Sequence, residues 1–247
     1  MSPSSLLSPG MLYAVSLLVA GISVLMVAAH GAIFAVSARE AGISARARRI
    51  APLLFVGALA VWAAWAVVPV TGWVTVPEKP SGGGPPVLLL EMLPPFAVAV
   101  ALMFGSKTLR AVNAATPPAW LIGLQTYRVA GAMFLWPLLA GGAVSAGFAL
   151  PAGIGDTVTG LFAPIVAVAV ARGRPGAKGW AVAWNCFGIL DLVAAPAAAV
   201  LTQSTNIGRY PLVIVALFLG PPLGILTHLY SLRNLAVTGG RARGSGI

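Results

Sequence analysis

Charged residues are scarce in this sequence, and acidic residues most of all. Of 247 residues, 8% are charged and five are Asp or Glu, whereas 59% are hydrophobic and the mean hydropathy is +0.94. A soluble domain is about one-quarter charged, so this chain cannot cover a surface that faces water. The composition predicts a protein that has lipid as its solvent.

Several kinds of site are also missing. The single cysteine, Cys186, excludes a disulfide framework or a cysteine-based metal site within one chain. The sequence has no H-E-x-x-H motif, Walker loop or dinucleotide fingerprint, and no Ser/His/Asp spacing typical of an intramembrane protease. Its lysines, at positions 79, 107 and 178, lie in predicted loops or at helix ends, so none is placed for a retinal Schiff base. We therefore predict no enzymatic activity.

Long apolar stretches dominate what remains. Each is near or above the ~20 residues that a helix needs to cross a bilayer. This length predicts an all-α polytopic membrane protein with seven transmembrane helices. We expect one domain, residues 1–247, that ends in a flexible basic tail at 234–247. The seven predicted helices are 11–38, 50–70, 86–106, 120–146, 151–171, 179–202 and 210–233.

The basic residues indicate an orientation. The net charge is +10, and of the 15 Lys and Arg residues only Lys79 and Arg209 fall in one set of alternate gaps. Arg128 is counted with the other set, as a charge at the entry to helix four. The positive-inside rule then places the N-terminus outside and the C-terminus in the cytoplasm. Charges at helix ends predict anionic phospholipid as their partner, and no nucleic acid.

Three acidic residues lie in or near the apolar stretches, where a charge is expensive and indicates function. Asp191 is the strongest candidate, about 20 Å along helix six from Lys178. Because no Lys or Arg is expected at its depth, we predict that Asp191 is neutral, hydrogen-bonded or paired with a bound cation. Its helix also carries Asn185, about 120° around the axis, which should contact different neighbours.

The other two acids each have two interpretations. Asp156 either faces Asp191 from the outer half of helix five or forms the N-cap of that helix after a Gly-rich bend; the N-cap is slightly favoured. Glu91 lies one turn before Pro94 on helix three, where it either faces the same outer cavity or contacts the interface. All three acids are predicted to lie in the outer half of the membrane.

Two histidines offer an alternative. His30 and His228 lie in the cytoplasmic halves of helices one and seven, and a facing pair of neutral imidazoles could ligate haem b. Their depths differ by about 6 Å of helical rise, which is awkward for one ligand plane. No cofactor is predicted otherwise.

The C-terminal half, residues 124–234, resembles a family of uncharacterised bacterial multi-spanning membrane proteins. The resemblance implies a bacterial inner-membrane location but no activity. The segments that carry it are Gln125-Thr-Tyr-Arg128-Val-Ala-Gly131, Leu150-Pro-Ala-Gly-Ile-Gly-Asp156, Trp184-Asn-Cys-Phe-Gly-Ile-Leu-Asp191 and Leu226-Thr-His228-Leu-Tyr-Ser-Leu-Arg233.

Three functions remain open at this stage. The leading prediction is binding or translocation of a small solute or cation through an outward-facing polar cavity, with Asp191, Asp156, Glu91 and Asn185 at the site. The first alternative is a haem-binding redox subunit using His30 and His228. The second is a non-catalytic scaffold or assembly partner, in which the acids only stabilise helix kinks.

Overall fold

The computed structural model describes residues 9–68, 87–139, 144–202 and 214–244, and within these ranges every regular element is helical. The elements are α1 (Pro9–Glu40), α2 (Ala45–Val67), α3 (Val87–Gly105), α4 (Lys107–Ala115), α5 (Pro118–Leu124), a 3₁₀ segment (Gln125–Phe134), α6 (Leu135–Leu139), α7 (Ala146–Ala171), α8 (Ala177–Leu201), a π segment (Val215–Leu219) and α9 (Pro221–Gly244).

Five helical stretches in the described part of the chain are long and apolar enough to cross a membrane. A sixth is reached if the bent pair Met92–Gly105 and Lys107–Ala115, with 82° between its halves, is one span. The prediction of a multi-pass helical membrane protein is therefore confirmed, whereas the number seven stays a prediction. The five stretches are Gly10–Glu40, Ala45–Val67, Ala146–Ala171, Ala177–Leu201 and Val215–Val237.

The first two helices form a tightly packed hairpin. Phe34 of α1 stacks on Phe55 of α2 with ring centroids 4.3 Å apart. A Cβ atom added at Gly31 would come within 2.5 Å of a γ-methyl of Val56. Because glycine removes the side chain at this point, the two helices approach more closely than larger residues would allow.

The segment predicted as helix four is broken into α5, the 3₁₀ segment and α6. A 3₁₀ helix has three residues per turn, so positions three apart lie on one face. The buried residues of this segment follow that period through all ten residues: they are Gln125, Arg128, Gly131 and Phe134. An α-helix would rotate each successive member of this set away from the interior.

Several helix bounds differ from the sequence prediction. Helix α7 begins at Ala146 rather than 151. Helix α9 continues to Gly244, past the predicted start of a flexible tail at 234. Asn234 explains part of this extension, since its side-chain amide donates to the carbonyls of Asn113 and Thr116 at 2.6 and 2.8 Å. The amphipathic helix α4 lies where the sequence predicted only a loop.

Substitution of Gly31 tests the hairpin. Gly31→Leu should destabilise the protein by about 1–3 kcal/mol, because the side chain would overpack the contact with Val56. Gly21→Leu is the matched control on the same helix, since a Cβ there meets nothing within 4 Å. Thermal unfolding of both variants in one detergent measures the difference, and equal melting temperatures would contradict the close packing.

Candidate functional site

Arg128 lies at the centre of the described C-terminal bundle. Its residue surface is only 2% exposed, and it is the largest of the fully buried side chains. The sequence counted Arg128 among the charges at a cytoplasmic helix end. That assignment is wrong, because the chain enters this span at Pro118 and the 3₁₀ segment turns residue 128 into the interior.

Two carboxylates from different helices bind the Arg128 guanidinium. Nε donates to Oδ1 of Asp156 on α7 at 2.6 Å, and Nη2 donates to Oδ2 of Asp191 on α8 at 2.5 Å. The expectation that no basic residue reaches the depth of Asp191 is therefore wrong. Charge-assisted bonds of this length are the strong class of hydrogen bonds.

The remaining donors of Arg128 connect it to α8 and α9. Nη1 donates to the carbonyl of Gly188 at 3.2 Å and to Nε2 of His228 at 3.1 Å. Guanidinium has five N–H groups and no acceptor, so four of the five are used and Nε2 of His228 must be the acceptor. His228 is consequently neutral, with its proton on Nδ1.

This tautomer extends the network to Asn185. The Nδ1–H of His228 donates to Oδ1 of Asn185 at 2.8 Å, and Nδ2 of Asn185 donates to the Ala181 carbonyl and to Oγ of Ser231 at 2.7 and 3.1 Å. The Nδ1–H of His228 and both N–H groups of the Asn185 amide therefore meet acceptors. As expected, Asn185 and Asp191 contact different neighbours, yet Arg128 and His228 join them in one network.

Trp184 covers the side of this network. Its indole N–H donates to the carbonyl of Thr159 at 3.1 Å, which ties α8 to α7. The indole ring also lies 5.0 Å from the His228 imidazole, centroid to centroid. Buried indole normally finds such a partner for its N–H, and here it fixes a wall of apolar ring surface against the imidazole.

Glycines make room for each polar member of the cluster. A Cβ atom added at any of four positions would collide with the site or its backbone, so bulkier residues would push the charged groups apart. The pairs are Gly131 with Asp156, Gly155 with Asp191, Gly188 with His228, and Gly160 with the backbone of Arg128 and Val129.

A cavity of about 50 Å³ borders the two carboxylates. It lies between α3, the 3₁₀ segment, α7, α8, the π segment and the start of α9. One water needs about 10–15 Å³ of such space, so the cavity holds roughly three or four. Among the residues that the structure describes, Asp156 and Asp191 are the charged side chains of its walls, and the other lining residues include Met92, Phe134, Phe148, Leu192, Ala195 and Val215.

The predicted acids have different outcomes. Asp156 lies inside α7, ten residues after its first residue, so the favoured N-cap interpretation is wrong and the facing arrangement with Asp191 holds. Glu91 belongs to α3, whose next residue, Met92, lines the cavity. The side chain of Glu91 is outside the described residues.

The two histidines are held by different partners. Nδ1 of His30 bonds to the Met26 carbonyl at 2.8 Å, and its buried Nε2 has no hydrogen-bond partner among the residues that the structure describes. Both nitrogens of His228 are engaged, by Arg128 and Asn185. Axial ligation through His228 would break one of these bonds, so haem ligation stays a prediction without support from this geometry.

The site predicted from the sequence did not include Arg128, Ser231 or the four glycines. For Arg128 a signal was present, because it stands ten residues after Pro118 and shares a three-residue spacing with Gln125 and Gly131. Charge counting by gaps hides this signal, since it assigns every basic residue to the nearest helix end.

The close approach at Gly188 can be tested by one methyl group. Gly188→Ala would place Cβ against His228 and 3.0 Å from Nη1 of Arg128. We expect a loss of about 1–3 kcal/mol of stability from this overpacking. Gly179→Ala, on the same helix in open space, should be neutral or slightly stabilising. Thermal unfolding compares them, and a Gly188→Ala variant as stable as Gly179→Ala would rule out the contact.

Removal of the buried charges tests the ion-pair network. Arg128→Leu leaves two unpaired carboxylates and should cost about 3–5 kcal/mol, the loss expected when one partner of a buried pair is removed. Adding Asp156→Asn and Asp191→Asn to Arg128→Leu should restore part of that loss. Unfolding by heat measures both, and a triple variant less stable than Arg128→Leu would contradict the pairing.

Comparison with known families gives one match. The model of a domain of unknown function, DUF8737, matches residues 85–236, more than half of the chain, and includes all four segments of the resemblance noted in the sequence. No curated protein and no solved structure matches the chain. The chain therefore belongs to the DUF8737 family.

Proposed function

We propose that this protein binds a small positively charged solute, or a proton, in a cavity inside the membrane and takes part in moving it across. One observation carries the proposal: a cavity inside the bundle ends on two carboxylates, Asp156 and Asp191, that share the guanidinium of Arg128.

The charge balance of the cluster supports it. With both carboxylates ionised, the cluster sums to −1, because it holds one guanidinium and His228 is neutral in this hydrogen-bond pattern. An uncompensated buried charge costs several kcal/mol even after the surroundings relax. Uptake of one positive charge from the cavity would remove that cost, which gives the site a reason to bind a cation.

The cavity sets the size of the solute. Space for three or four waters admits a proton with its water or a solute of a few heavy atoms, and it excludes a sugar or a peptide. Acidic side chains that load and release a positive charge within the membrane are characteristic of transport pathways and proton relays.

The proposal uses the seven-span arrangement in a bacterial cytoplasmic membrane. The bent pair α3–α4 and the broken segment α5–α6 would supply two spans in addition to the five continuous ones. Without Arg128, the basic residues still divide unequally between the two sides, with only Lys79 and Arg209 on the minor side. The termini then keep the predicted orientation, with the C-terminus facing anionic phospholipid on the cytoplasmic side.

Replacement of Asp191 tests whether the cluster takes up a charge. If the folded protein holds a proton that the unfolded chain releases, linkage requires stability to fall as pH rises. A bound cation at about 100 times its Kd would add ~2.7 kcal/mol. We expect Asp191→Asn, whose cluster sums to zero, to lose both effects. Melting temperatures across pH and across ammonium, sodium and potassium chloride measure them.

Glu40→Gln is the matched control, because it makes the same acid-to-amide change at an exposed position at the end of α1. It should retain the wild-type response. If wild type and Asp191→Asn respond equally to pH and to every cation, the cluster binds no additional charge, and the scaffold interpretation takes its place.

A further inference from the structure

We infer that the solute is a small primary alkylammonium ion, whose ammonium group binds Asp156 and Asp191 while its alkyl group lies against the apolar walls of the cavity. This inference rests on the proposed function, since it names the substrate class of the same site.

The walls of the cavity favour an organic cation. Beyond the two carboxylates, the lining that the structure describes is formed by aliphatic and aromatic side chains and by small residues from α7, α8 and the start of α9. An inorganic ion bound at the carboxylates would gain nothing from these apolar walls. An alkyl group would gain about 0.8 kcal/mol for each methylene transferred to them from water.

The donor set disfavours a metal ion. Hard cations such as Ca²⁺ and Mg²⁺ are surrounded by about six or more oxygen ligands. Within the described ranges, no group of three or more His, Cys, Asp or Glu residues is placed to hold a metal ion. Two carboxylates that already share Arg128 leave most of such a coordination shell unfilled.

An ammonium group fits the acceptors that remain. Oδ2 of Asp156 and Oδ1 of Asp191 receive no hydrogen bond from the described residues, whereas the other oxygen of each carboxylate binds Arg128. The side chain of Asp156 is 12% exposed and that of Asp191 is 10% exposed, and both residues line the cavity. A primary ammonium ion carries three donors, and in this inference it donates to these two oxygens and to one water.

Two phenylalanines complete the fit. Phe134 and Phe148 both line the cavity and meet edge to face, with centroids 5.7 Å apart. Both side chains therefore add apolar surface on which the alkyl group can lie. A solute of three or four heavy atoms would fill the cavity, which corresponds to ethylammonium or propylammonium.

Affinity across a series of chlorides tests the inference. Purified protein would be titrated with ammonium, methylammonium, ethylammonium, propylammonium and sodium chloride, and with ethanol as a neutral match for ethylammonium. We expect affinity to rise roughly fourfold per added methylene up to ethylammonium or propylammonium. Sodium and ethanol should bind at least tenfold more weakly than ethylammonium, and Asp191→Asn should abolish binding of every ammonium ion.

A cavity-filling variant tests the contribution of the apolar wall to binding separately from that of the carboxylates. Ala195 borders the cavity, so Ala195→Leu should occupy the space of the alkyl group and weaken ethylammonium binding at least tenfold. Ala197→Leu makes the same change on the exposed side of α8 and should bind ethylammonium like the wild type. If Ala195→Leu does not fold, Ala199→Leu changes another residue of the same wall.

The outcomes distinguish this inference from the function on which it rests. Equal affinity along the alkyl series, or tighter binding of sodium than of ethylammonium, would overturn the alkylammonium inference, while a stability that depends on pH through Asp191 would keep the proposed function. If neither ammonium ions nor protons act through Asp191, both proposals fail.

Discussion

The guanidinium of Arg128 is the group on which the C-terminal bundle depends. It lies in the 3₁₀ segment and binds side chains of α7, α8 and α9 together with a backbone carbonyl of α8. An unpaired charge in this position would be expensive, and the four elements approach closely enough to supply acceptors for four of the five guanidinium N–H groups. The polar cluster thereby links four elements whose other contacts in the bundle are largely apolar.

Local backbone geometry makes this cluster possible. The change from α to 3₁₀ helix aligns four buried residues on one inward face: Gln125, Arg128, Gly131 and Phe134. Arg128 binds the two carboxylates, Gly131 allows Asp156 to approach, and Phe134 lines the cavity. Long 3₁₀ segments have poorer hydrogen bonds than α-helices. Here the cost is offset by the charged contacts, because only this winding directs Arg128 and Phe134 toward the same interior.

Sequence patterns predicted most of the helices and the two acids of the site, but not the arginine that joins them. Apolar length located most of the helices, and the expense of buried acids singled out Asp156 and Asp191, which the structure brings to one guanidinium. Two sequence rules gave the wrong position for Asp156 and for Arg128. The proline and glycines around position 153 were interpreted as a bend, although a membrane helix tolerates them when neighbours satisfy the backbone. Charge counting placed Arg128 at an interface, because it assigns each basic residue to the nearest helix end and ignores the three-residue spacing that Arg128 shares with Gln125 and Gly131.

The number of acids distinguishes this cluster from a simple ion pair, since two carboxylates bind one guanidinium. One carboxylate would neutralise Arg128, and a hydroxyl or amide at position 191 would satisfy Nη2 without adding a second negative charge. With both carboxylates ionised, Asp191 adds a second negative charge beside the cavity, where desolvation makes that charge costly. If the site binds a cation as proposed, the added positive charge balances the cluster, so that the stability of the protein and the occupancy of the site are linked. Under this proposal, loading and release of the cation would also change the attraction that holds Arg128 between α7 and α8, and binding would be coupled to the packing of the bundle.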